Sequence, residues 1–402
     1  MLGRLVSYDP ATGEPLGEVP VTPPEQVADV VRRARAAAGE WRRVEAEGRV
    51  AALEKAYERV GMRKDELAVL LSREMGKDIR RSTGEVKWVF RGGPRMAQSA
   101  REALRPRDIG HGARIEYQPL GVVAVISPWN YPLAMANNFI APALAAGNSV
   151  VLKPSEETPL IARALVDMMN EVLPPGLLQI IHGDGEQGRA LVESDVNMIA
   201  FTGSREAGRD IMARAASCLK RLVMELGGND PMIVMHDADV EQAARFAVAN
   251  SFENAGQMCI ATERIYVDGK IAERFEKRVV ELAACCKVGP WDIPDVDIGP
   301  IINAVQHGTI VEHIRDAEAK GARVLLGGSR QPERYIHPTV ICDMTPDMLV
   351  EQEETFGPVV AISRYADVRE AVQRANASTY GLGAWFSGGR RRKRLPMNWK
   401  RA

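Results

Sequence analysis

The sequence has almost no net charge and few histidines. Its 52 Lys and Arg residues balance 53 Asp and Glu residues, and a net charge of −1 gives no overall attraction to nucleic acid or an anionic membrane. The six histidines are scattered and never occur at the spacing of motifs such as H-E-x-x-H. We therefore expect no metal, no nucleic acid and no membrane among its partners.

Cysteine is scarce, and no two cysteines form a C-x-x-C pair. The five residues are Cys218, Cys259, Cys285, Cys286 and Cys342. An odd number fits neither a disulfide framework nor a zinc site. The N-terminus also lacks the apolar core of a signal peptide. These two absences predict a protein of the reducing cytoplasm.

One segment without charge, residues 117–152, is long enough to suggest a membrane helix. Six Pro and Gly residues interrupt it, and its four asparagines would each be costly in lipid. A strand, a loop and a helix buried in protein explain this segment better.

The remaining composition, 46% apolar and 26% charged, is that of an ordinary globular protein, and 402 residues predict two domains. Thr22 and Glu25 should cap a first helix, and a second helical stretch covers 48–76. Short apolar runs at 122–126, 150–152, 178–181 and 198–201 then alternate with helical stretches, which indicates a parallel sheet covered on both faces. A similar pattern continues beyond 231, with helices predicted at 240–256 and 271–286, so the domain boundary is expected near 225–231.

Ligands in such sheets bind beyond the carboxyl ends of the strands, so the residues after each run are candidates for a site. Three of these loops are unusual: Ser127-Pro-Trp-Asn130, Lys153-Pro-Ser-Glu156 and Thr202-Gly-Ser204. Lys153 and Glu156 could hold a ribose, and Gly203 with Ser204 could hold a pyrophosphate at a helix N-terminus.

A fourth loop, Gly183-Asp-Gly-Glu-Gln-Gly188, matches the dinucleotide pattern G-x-G-x-x-G. The next apolar run, however, ends without the acidic residue that would hold the ribose. Gly185 is therefore either a phosphate contact or part of a turn-forming glycine cluster.

Cys259 follows a helical stretch in the segment Gly256-Gln-Met-Cys259. Most free cysteines are small buried hydrophobes, whereas a reactive cysteine needs a lowered pKa and access to solvent. The residues by themselves leave both interpretations open for Cys259. The other four cysteines lie in helical or strand patterns and are interpreted as structural.

Six motifs occur in one order: Pro-Trp-Asn130, Lys153-Pro-Ser-Glu156, Phe201-Thr-Gly-Ser204, Glu225-Leu-Gly-Gly-Asn229, Gly256-Gln-Met-Cys259 and Glu353-Glu-Thr-Phe-Gly-Pro358. Through them the sequence resembles the aldehyde dehydrogenase superfamily along about residues 7–384. The resemblance implies an α/β fold with a Rossmann-like NAD-binding domain at 1–226, including a hairpin near 101–120. An α/β catalytic domain would follow at 227–387, and a basic irregular tail at 388–402.

By the same resemblance, the chain oxidises an aldehyde to the carboxylic acid with NAD(P)⁺. Cys259 would attack the aldehyde carbon, and the Asn130 side chain with the Cys259 backbone N–H would hold the thiohemiacetal oxyanion. Glu225 would activate the water that hydrolyses the thioester, which argues against the branch that passes its thioester to coenzyme A.

The resemblance also implies the cofactor site. Lys153 and Glu156 would contact the adenosine ribose, and Glu354 with Phe356 the nicotinamide ribose. The other predicted cofactor residues are Ser127, Pro128, Trp129, Ser155, Gly185, Phe201, Gly203, Ser204, Gly208 and Leu226. A carboxylate at Glu156 would repel a 2′-phosphate, so NAD is expected, with NADP as the alternative. Glu156 could instead be a carboxylate at a helix N-terminus.

Substrate identity is less directly encoded. Succinate-semialdehyde members of the family resemble this chain but typically carry an arginine near position 138, where this chain has Asn138. Met135, Phe252, Met258 and Ile260 would form an apolar pocket. This pattern favours an uncharged aliphatic or aromatic aldehyde.

After Tyr380-Gly-Leu-Gly-Ala384 the sequence departs from the family pattern and becomes Arg-rich, as a truncation or a shifted reading frame would produce. The hairpin would leave an unpaired edge, and a homodimer or homotetramer is expected unless the altered C-terminus prevents it. The alternative hypothesis is a catalytically silent relative that binds nucleic acid or acidic partners through basic residues 390–394. Charge runs at chain ends are more often simply solvated.

Overall fold

A computed structural model describes residues 3–388 of the chain. The described residues form two compact units, the first comprising 3–9, 13–75 and 79–226 and the second comprising 10–12, 76–78 and 227–388. Of the predicted basic tail, 388–402, only Gly388 lies within the described residues. Between residues 3 and 388, no helix has the length and apolar character needed to cross a membrane.

The first unit combines helices with one parallel sheet. Its elements are β1 (Arg4–Tyr8), β2 (Pro15–Pro20), α1 (Pro24–Trp41), α2 (Ala46–Met62), α3 (Lys64–Met75), α4 (Ile79–Ala103), β3 (Arg107–Gly110), β4 (Ala113–Ile115), β5 (Val122–Ile126), α5 (Pro132–Ala145), β6 (Ser149–Lys153), α6 (Pro159–Asn170), β7 (Leu178–Ile180), α7 (Gly185–Glu193), β8 (Met198–Thr202), α8 (Arg205–Ala216) and β9 (Arg221–Glu225). Strands β5 to β9 form a five-stranded parallel sheet in the order β7-β6-β5-β8-β9.

Helices cover both faces of this sheet, which explains why its central strands are apolar throughout. Every residue of β5 is buried. Val123 and Val125 belong to one hydrophobic core, whereas Val122, Ala124 and Ile126 belong to the core on the opposite face. This alternation is what a strand between two helical layers requires. The predicted α/β class is confirmed.

The second unit contains a six-stranded mixed sheet. Its elements are β10 (Asp230–Val234), α9 (Val240–Ser251), a 3₁₀ turn (Glu253–Gly256), β11 (Thr262–Asp268), α10 (Ala272–Ala283), α11 (Ala304–Ala319), β12 (Arg323–Leu326), β13 (Thr339–Cys342), α12 (Leu349–Gln352), β14 (Val359–Tyr365), α13 (Val368–Asn376) and β15 (Trp385–Ser387). The order is β12-β13-β14-β11-β10-β15, and only β12 runs antiparallel to its neighbour.

Three local predictions are wrong. The side chain of Thr22 does not cap α1; its Oγ1 instead accepts a hydrogen bond from the backbone N–H of His182 at 3.1 Å. The helical stretch predicted at 48–76 is two helices that break at Arg63, where φ is −111°. The helix predicted at 240–256 ends at Ser251, because Asn254 and Ala255 adopt left-handed conformations with φ of 53° and 58°.

Candidate active site

The first unit has a topological switch point between β5 and β8. From β5 the chain proceeds to β6 and then β7 on one side, and it returns to β8 and then β9 on the other. Ligands of open parallel sheets bind at the carboxyl ends of the strands that flank such a point. The loops there are Ser127-Pro-Trp-Asn130 after β5 and Thr202-Gly-Ser204 after β8.

Two buried hydroxyls at the switch point lack partners. Ser127 is 4% exposed and Thr202 is 8% exposed. Within residues 3–388, neither the Ser127 Oγ nor the Thr202 Oγ1 has a hydrogen-bond partner. Because Ile126 pairs with Phe201 in the sheet, the two hydroxyls lie on neighbouring strands at nearly the same level. A buried hydroxyl without a partner is costly, so these two groups fit a ligand with hydrogen-bonding atoms.

Lys153 and Glu156 form an ion pair at the carboxyl end of β6. The Nζ of the buried Lys153 lies 3.3 Å from the Oε2 of Glu156, and 46% of the Glu156 side chain is exposed. Helix α6 begins later, at Pro159, so Glu156 does not stand in its first turn. The Oγ of Ser155 accepts from the backbone N–H of Glu157 at 3.3 Å, which closes the loop. The pair offers one cation and one carboxylate, which suits ribose hydroxyls.

Glycines bring the start of α8 close to the sheet. A Cβ at Gly203 would lie 2.5 Å from the Phe201 ring, and one at Gly208 would lie 2.8 Å from Leu226. Ser204 is the N-cap of α8, and its Oγ accepts from the backbone N–H of Ala207 at 3.2 Å. The amino end of this 12-residue helix therefore stands beside the switch point, where its dipole favours an anion.

The structure does not bring Gly185 to this point. The segment Gly183–Gly188 follows β7, the edge strand, two strands away from β5. Asp184 caps α7 in a capping box with Gln187, so a carboxylate of the chain already occupies that helix end. Gly183 has a φ of 147° and its Cα faces the Gln187 side chain without room for a Cβ. The glycines form a capped turn, which is the second of the two interpretations drawn from the sequence.

Asn130 and Glu225 also belong to the first unit. Asn130 is 5% exposed and lies two residues before the start of α5. The first backbone N–H groups of α5, those of Leu133 and Ala134, both donate to the Oε1 of Glu85 at 3.0 Å. Glu225 ends β9; its carbonyl accepts from the Gly203 N–H at 3.1 Å, and its side chain is exposed. Glu225 is therefore fixed through its backbone at the carboxyl edge of the sheet, and Glu85 anchors the helix that follows the Asn130 loop.

In the second unit, three loops meet around Cys259. A Cβ at Gly228 would overlap the carbonyl oxygen of Cys259, and a Cβ at Gly256 would overlap the backbone of Gly357. Gln257 fixes the loop before the cysteine: its Oε1 accepts from the Ile302 N–H at 3.0 Å, and its Nε2 donates to the Asn254 carbonyl at 3.2 Å. Cys259 itself is partly exposed.

A buried glutamate shapes the loop that contains Glu354 and Phe356. The Glu263 carboxylate accepts from the backbone N–H groups of Thr355 and Phe356, each at 2.7 Å. Burial, followed by the charge of Glu354, raises the pKa of Glu263 well above its usual range. Glu354 in turn accepts from the Gly228 N–H at 2.9 Å. The carboxylates therefore hold the Gly228 and Phe356 loops in place.

Sequence reasoning missed this arrangement because the loops lie at the amino edge of the second sheet. Gly227–Asn229 precedes β10, the Cys259 loop precedes β11 and Glu353–Pro358 precedes β14, and these strands are parallel. A search restricted to residues after strands does not find Glu263 or Gln257. The one available signal for these loops was that each motif contains glycines next to its candidate residues, which is typical of close backbone contacts.

Comparisons with known proteins agree with this geometry. The profile of the "Aldehyde dehydrogenase family" matches residues 3–395. A probable NADP⁺ succinate-semialdehyde dehydrogenase of Sinorhizobium fredii is 37% identical over 95% of the chain and 80% of the relative, and a glutarate-semialdehyde dehydrogenase of Pseudomonas putida is 35% identical over 94% and 80%. The crystal structure of succinate-semialdehyde dehydrogenase from Burkholderia pseudomallei superimposes with a TM-score of 0.93 at 34% identity, over 96% of the chain and 82% of that structure.

Proposed function

We propose that Cys259, Glu225 and Asn130 carry out the oxidation of an aldehyde to its carboxylic acid in this chain, which belongs to the aldehyde dehydrogenase family and uses NAD(P)⁺. The alternative of a catalytically silent binding protein is not favoured, since the named relatives are dehydrogenases.

In the proposed reaction the Cys259 thiolate adds to the aldehyde carbon to give a thiohemiacetal. The oxyanion accepts hydrogen bonds from the Asn130 amide and the Cys259 backbone N–H, and loss of one such donor costs about 100-fold to 1000-fold in rate. NAD(P)⁺, when bound, accepts the hydride. The resulting thioester is attacked by water whose proton passes to Glu225, and the acid and the thiolate are released.

The choice of Cys259 rests on its surroundings. Cys342 is buried within β13, and burial raises the pKa of its thiol to about 12, which leaves no thiolate at neutral pH. Cys218 and Cys285 are exposed near helix ends, and the Cys286 Sγ donates to the Leu282 carbonyl. Only Cys259 lies on a loop where glycines permit close backbone contacts, and this observation carries the assignment.

For the cofactor we propose the groups at the switch point. The unpartnered hydroxyls of Ser127 and Thr202 and the amino end of α8 at Gly203 and Ser204 suit the pyrophosphate. Lys153 and Glu156 suit the adenosine ribose, and the half-exposed carboxylate of Glu156 favours NAD over NADP. The other residues predicted from the sequence, except Gly185, belong to the same loops and neighbouring elements or, like Glu354 and Phe356, would contact the nicotinamide ribose.

For the substrate we propose an aldehyde that carries a carboxylate at its other end, as the names of the relatives suggest. The apolar residues found in the sequence, among them Phe252 and Met258, favour an uncharged aldehyde instead. The similarity to these relatives over most of the chain carries the choice of the first class.

The test separates the two chemical steps. Cys259→Ala should form no NADH at all, because no thiohemiacetal can form, whereas Glu225→Gln should give a burst of about one NADH per subunit and then stall at the thioester. Rapid-mixing absorbance at 340 nm with a semialdehyde and with its uncharged counterpart measures both. Steady turnover at the unmodified rate in Glu225→Gln would remove Glu225 from the mechanism.

We also propose a homo-oligomer and a cytoplasmic location. The hairpin of β3 and β4 is almost entirely exposed, includes Ile109 at 57% exposure, and pairs only with itself within the described residues. An isolated two-stranded hairpin is marginal in water, which favours strand addition by another copy. Sedimentation at micromolar concentration would show a dimer or tetramer, and Ile109→Asp should shift it toward the monomer. The five thiols, none in a disulfide, suit a reducing compartment.

A further inference from the structure

Within the described chain, the amino end of helix α5 takes no side-chain cap from its own N-cap residue. That residue is Tyr131, and its side chain makes no cap hydrogen bond. Pro132, the next residue, has no N–H, and the first hydrogen bond inside the helix runs from the Met135 N–H to the Tyr131 carbonyl at 2.9 Å. The N–H groups of Leu133 and Ala134 therefore need an acceptor outside α5.

A carboxylate from another helix supplies the missing cap. The buried Glu85 of α4 accepts the N–H groups of Leu133 and Ala134 at 3.0 Å each, both on its Oε1. A negative group at this end of α5 also interacts favourably with the helix dipole. Glu85 lies 48 residues before Leu133 in the sequence, so the first turn of α5 is fixed by a tertiary contact.

The part of α4 that carries Glu85 is itself held in place. Ser82, one turn earlier on α4, and Ser72 on α3 are fully buried, and their hydroxyls form a hydrogen bond of 2.8 Å. Val86, the neighbour of Glu85, belongs to the same hydrophobic core as Leu133. Helix α4 packs on both α3 and α5. The carboxylate is therefore presented to α5 from a well-packed position.

The cap lies close to Asn130 along the chain. Only Tyr131 and Pro132 separate Asn130 from Leu133, the first N–H group that Glu85 holds. The proline ring fixes one of the few torsions of this connection. Asn130 is buried, so its side chain has little room to compensate for a displaced backbone. A shift of the first turn of α5 would therefore move the Asn130 amide.

We propose that Glu85 is a positioning residue for the oxyanion site, because its cap on α5 sets the place of the Asn130 amide. The inference rests on the proposed function, in which Asn130 donates to the thiohemiacetal oxyanion. Glu85 acts through the backbone of α5. A negative charge near an oxyanion would by itself oppose its formation. The contribution of Glu85 therefore comes from the reach of its side chain and not from its charge.

Two conservative variants separate reach from charge. Glu85→Gln keeps the length and an accepting oxygen but loses the charge, so the rate of NADH formation in the first turnover should stay close to the original. Glu85→Asp keeps the charge but is one methylene too short, and this rate should fall about tenfold to 100-fold at saturating aldehyde and NAD(P)⁺. The Kd for NAD(P)⁺ should be unchanged in both variants. Rates in the opposite order would overturn the proposal.

Two further variants control for general damage to the fold. Tyr57→Phe removes another tether of α5, the hydrogen bond from the Tyr57 hydroxyl to the Asn137 Oδ1 farther along the helix. Glu74→Asp shortens the same kind of cap on α6, where the carboxylate accepts from Leu160 and Ile161. Both variants should be less stable in urea titrations but keep the first-turnover rate at saturating cofactor. An equal loss of rate in these variants and in Glu85→Asp would show a purely structural role and overturn the proposal.

A double-mutant cycle links the effect to Asn130. Asn130→Ala alone should lower the first-turnover rate about 100-fold to 1000-fold. In that background Glu85→Asp should cause no further loss, because the side chain that it displaces is absent. Additive losses would contradict the inference. An Asn130→Ala variant with the original rate would remove the proposed function and the inference with it, whereas a slow Asn130→Ala beside an unaffected Glu85→Asp would remove the inference alone.

Discussion

The polar loops of the first unit lie at the carboxyl edge of its sheet, whereas those of the second unit lie at the amino edge of its sheet. The two sets of loops also contain different polar groups. In the first unit the loops follow β5, β6 and β8, and the hydroxyls of Ser127 and Thr202 lack partners among the described residues. In the second unit the loops precede β10, β11 and β14, and the carboxylates of Glu263 and Glu354 bind backbone N–H groups of neighbouring loops. The first edge leaves its polar groups available to a ligand, whereas the second uses them to hold its own backbone.

This difference teaches that burial of a polar group has two distinct uses. A buried carboxylate bonded to two consecutive amides is a structural bracket, and Glu74 shows the same arrangement in the first unit, where it accepts from Leu160 and Ile161 at the start of α6. A buried hydroxyl without a partner lowers the stability of the ligand-free protein, and this loss is recovered only when a ligand forms a hydrogen bond with it. Stability and cofactor affinity should therefore respond in opposite ways at the two edges.

The largest effect is expected when the Glu263 carboxylate, which holds the Phe356 loop of the second unit, is removed. Glu263→Ala leaves the N–H groups of Thr355 and Phe356 without their acceptor, at about 2 kcal/mol each. The free energy of unfolding should fall by about 4 kcal/mol in urea titrations. Glu263→Gln keeps one acceptor and should recover about half of that loss.

Glu74→Gln is the matched control, because it alters the same kind of bracket away from the Cys259 loops. Both glutamine variants should lose stability, but only Glu263→Gln should raise the KM for NAD(P)⁺. Equal KM values in the two variants would reduce Glu263 to a purely structural residue.

A somewhat smaller effect should appear as a pH dependence at Asp230. Burial raises the pKa of this carboxyl from 3.8 to about 6. The unfolded chain therefore ionises at lower pH than the folded one, and the folded protein loses stability as the pH rises from about 4 to 6. A shift of about two units corresponds to about 3 kcal/mol.

Asp230→Asn cannot ionise, so its stability relative to the original protein should rise by about 3 kcal/mol between pH 4 and pH 7. Urea titrations at a series of pH values measure this difference. Other buried groups that titrate, such as His182 and Glu74, contribute equally to both proteins, so their contributions cancel in the difference. Parallel stability curves for the two proteins would show that Asp230 is not a buried, destabilising carboxylate.

The smallest effect should have opposite signs for stability and binding. Thr202→Val removes an unpartnered buried hydroxyl, so the free protein should be as stable or about 1 kcal/mol more stable, while the Kd for NAD(P)⁺ rises about fivefold to tenfold. Thr339→Val is the contrast in the second unit, since its Oγ1 donates to the His337 carbonyl at 3.0 Å. That variant should lose about 1 kcal/mol. If both threonines behave alike, the comparison between the two edges fails.

Much of the architecture could be predicted locally. The apolar runs became β5, β6, β7 and β8 within one or two residues at each end, because strands buried on both faces leave an unbroken apolar signal. Elements with a weaker pattern were missed, among them β13 and α11. The capping role of Thr22 failed for a different reason: its hydroxyl binds His182, a partner 160 residues away.

The sequence by itself determined the α/β class and the identities of the residues in each motif, because strand periodicity, glycine turns and side-chain chemistry are local properties. Only the tertiary structure decided that the switch point lies between β5 and β8, so that Gly183–Gly188 is left at the sheet edge. It also decided that Glu263 holds the Phe356 loop. Strand order and helix register depend on contacts between residues far apart in the chain, which no local pattern encodes.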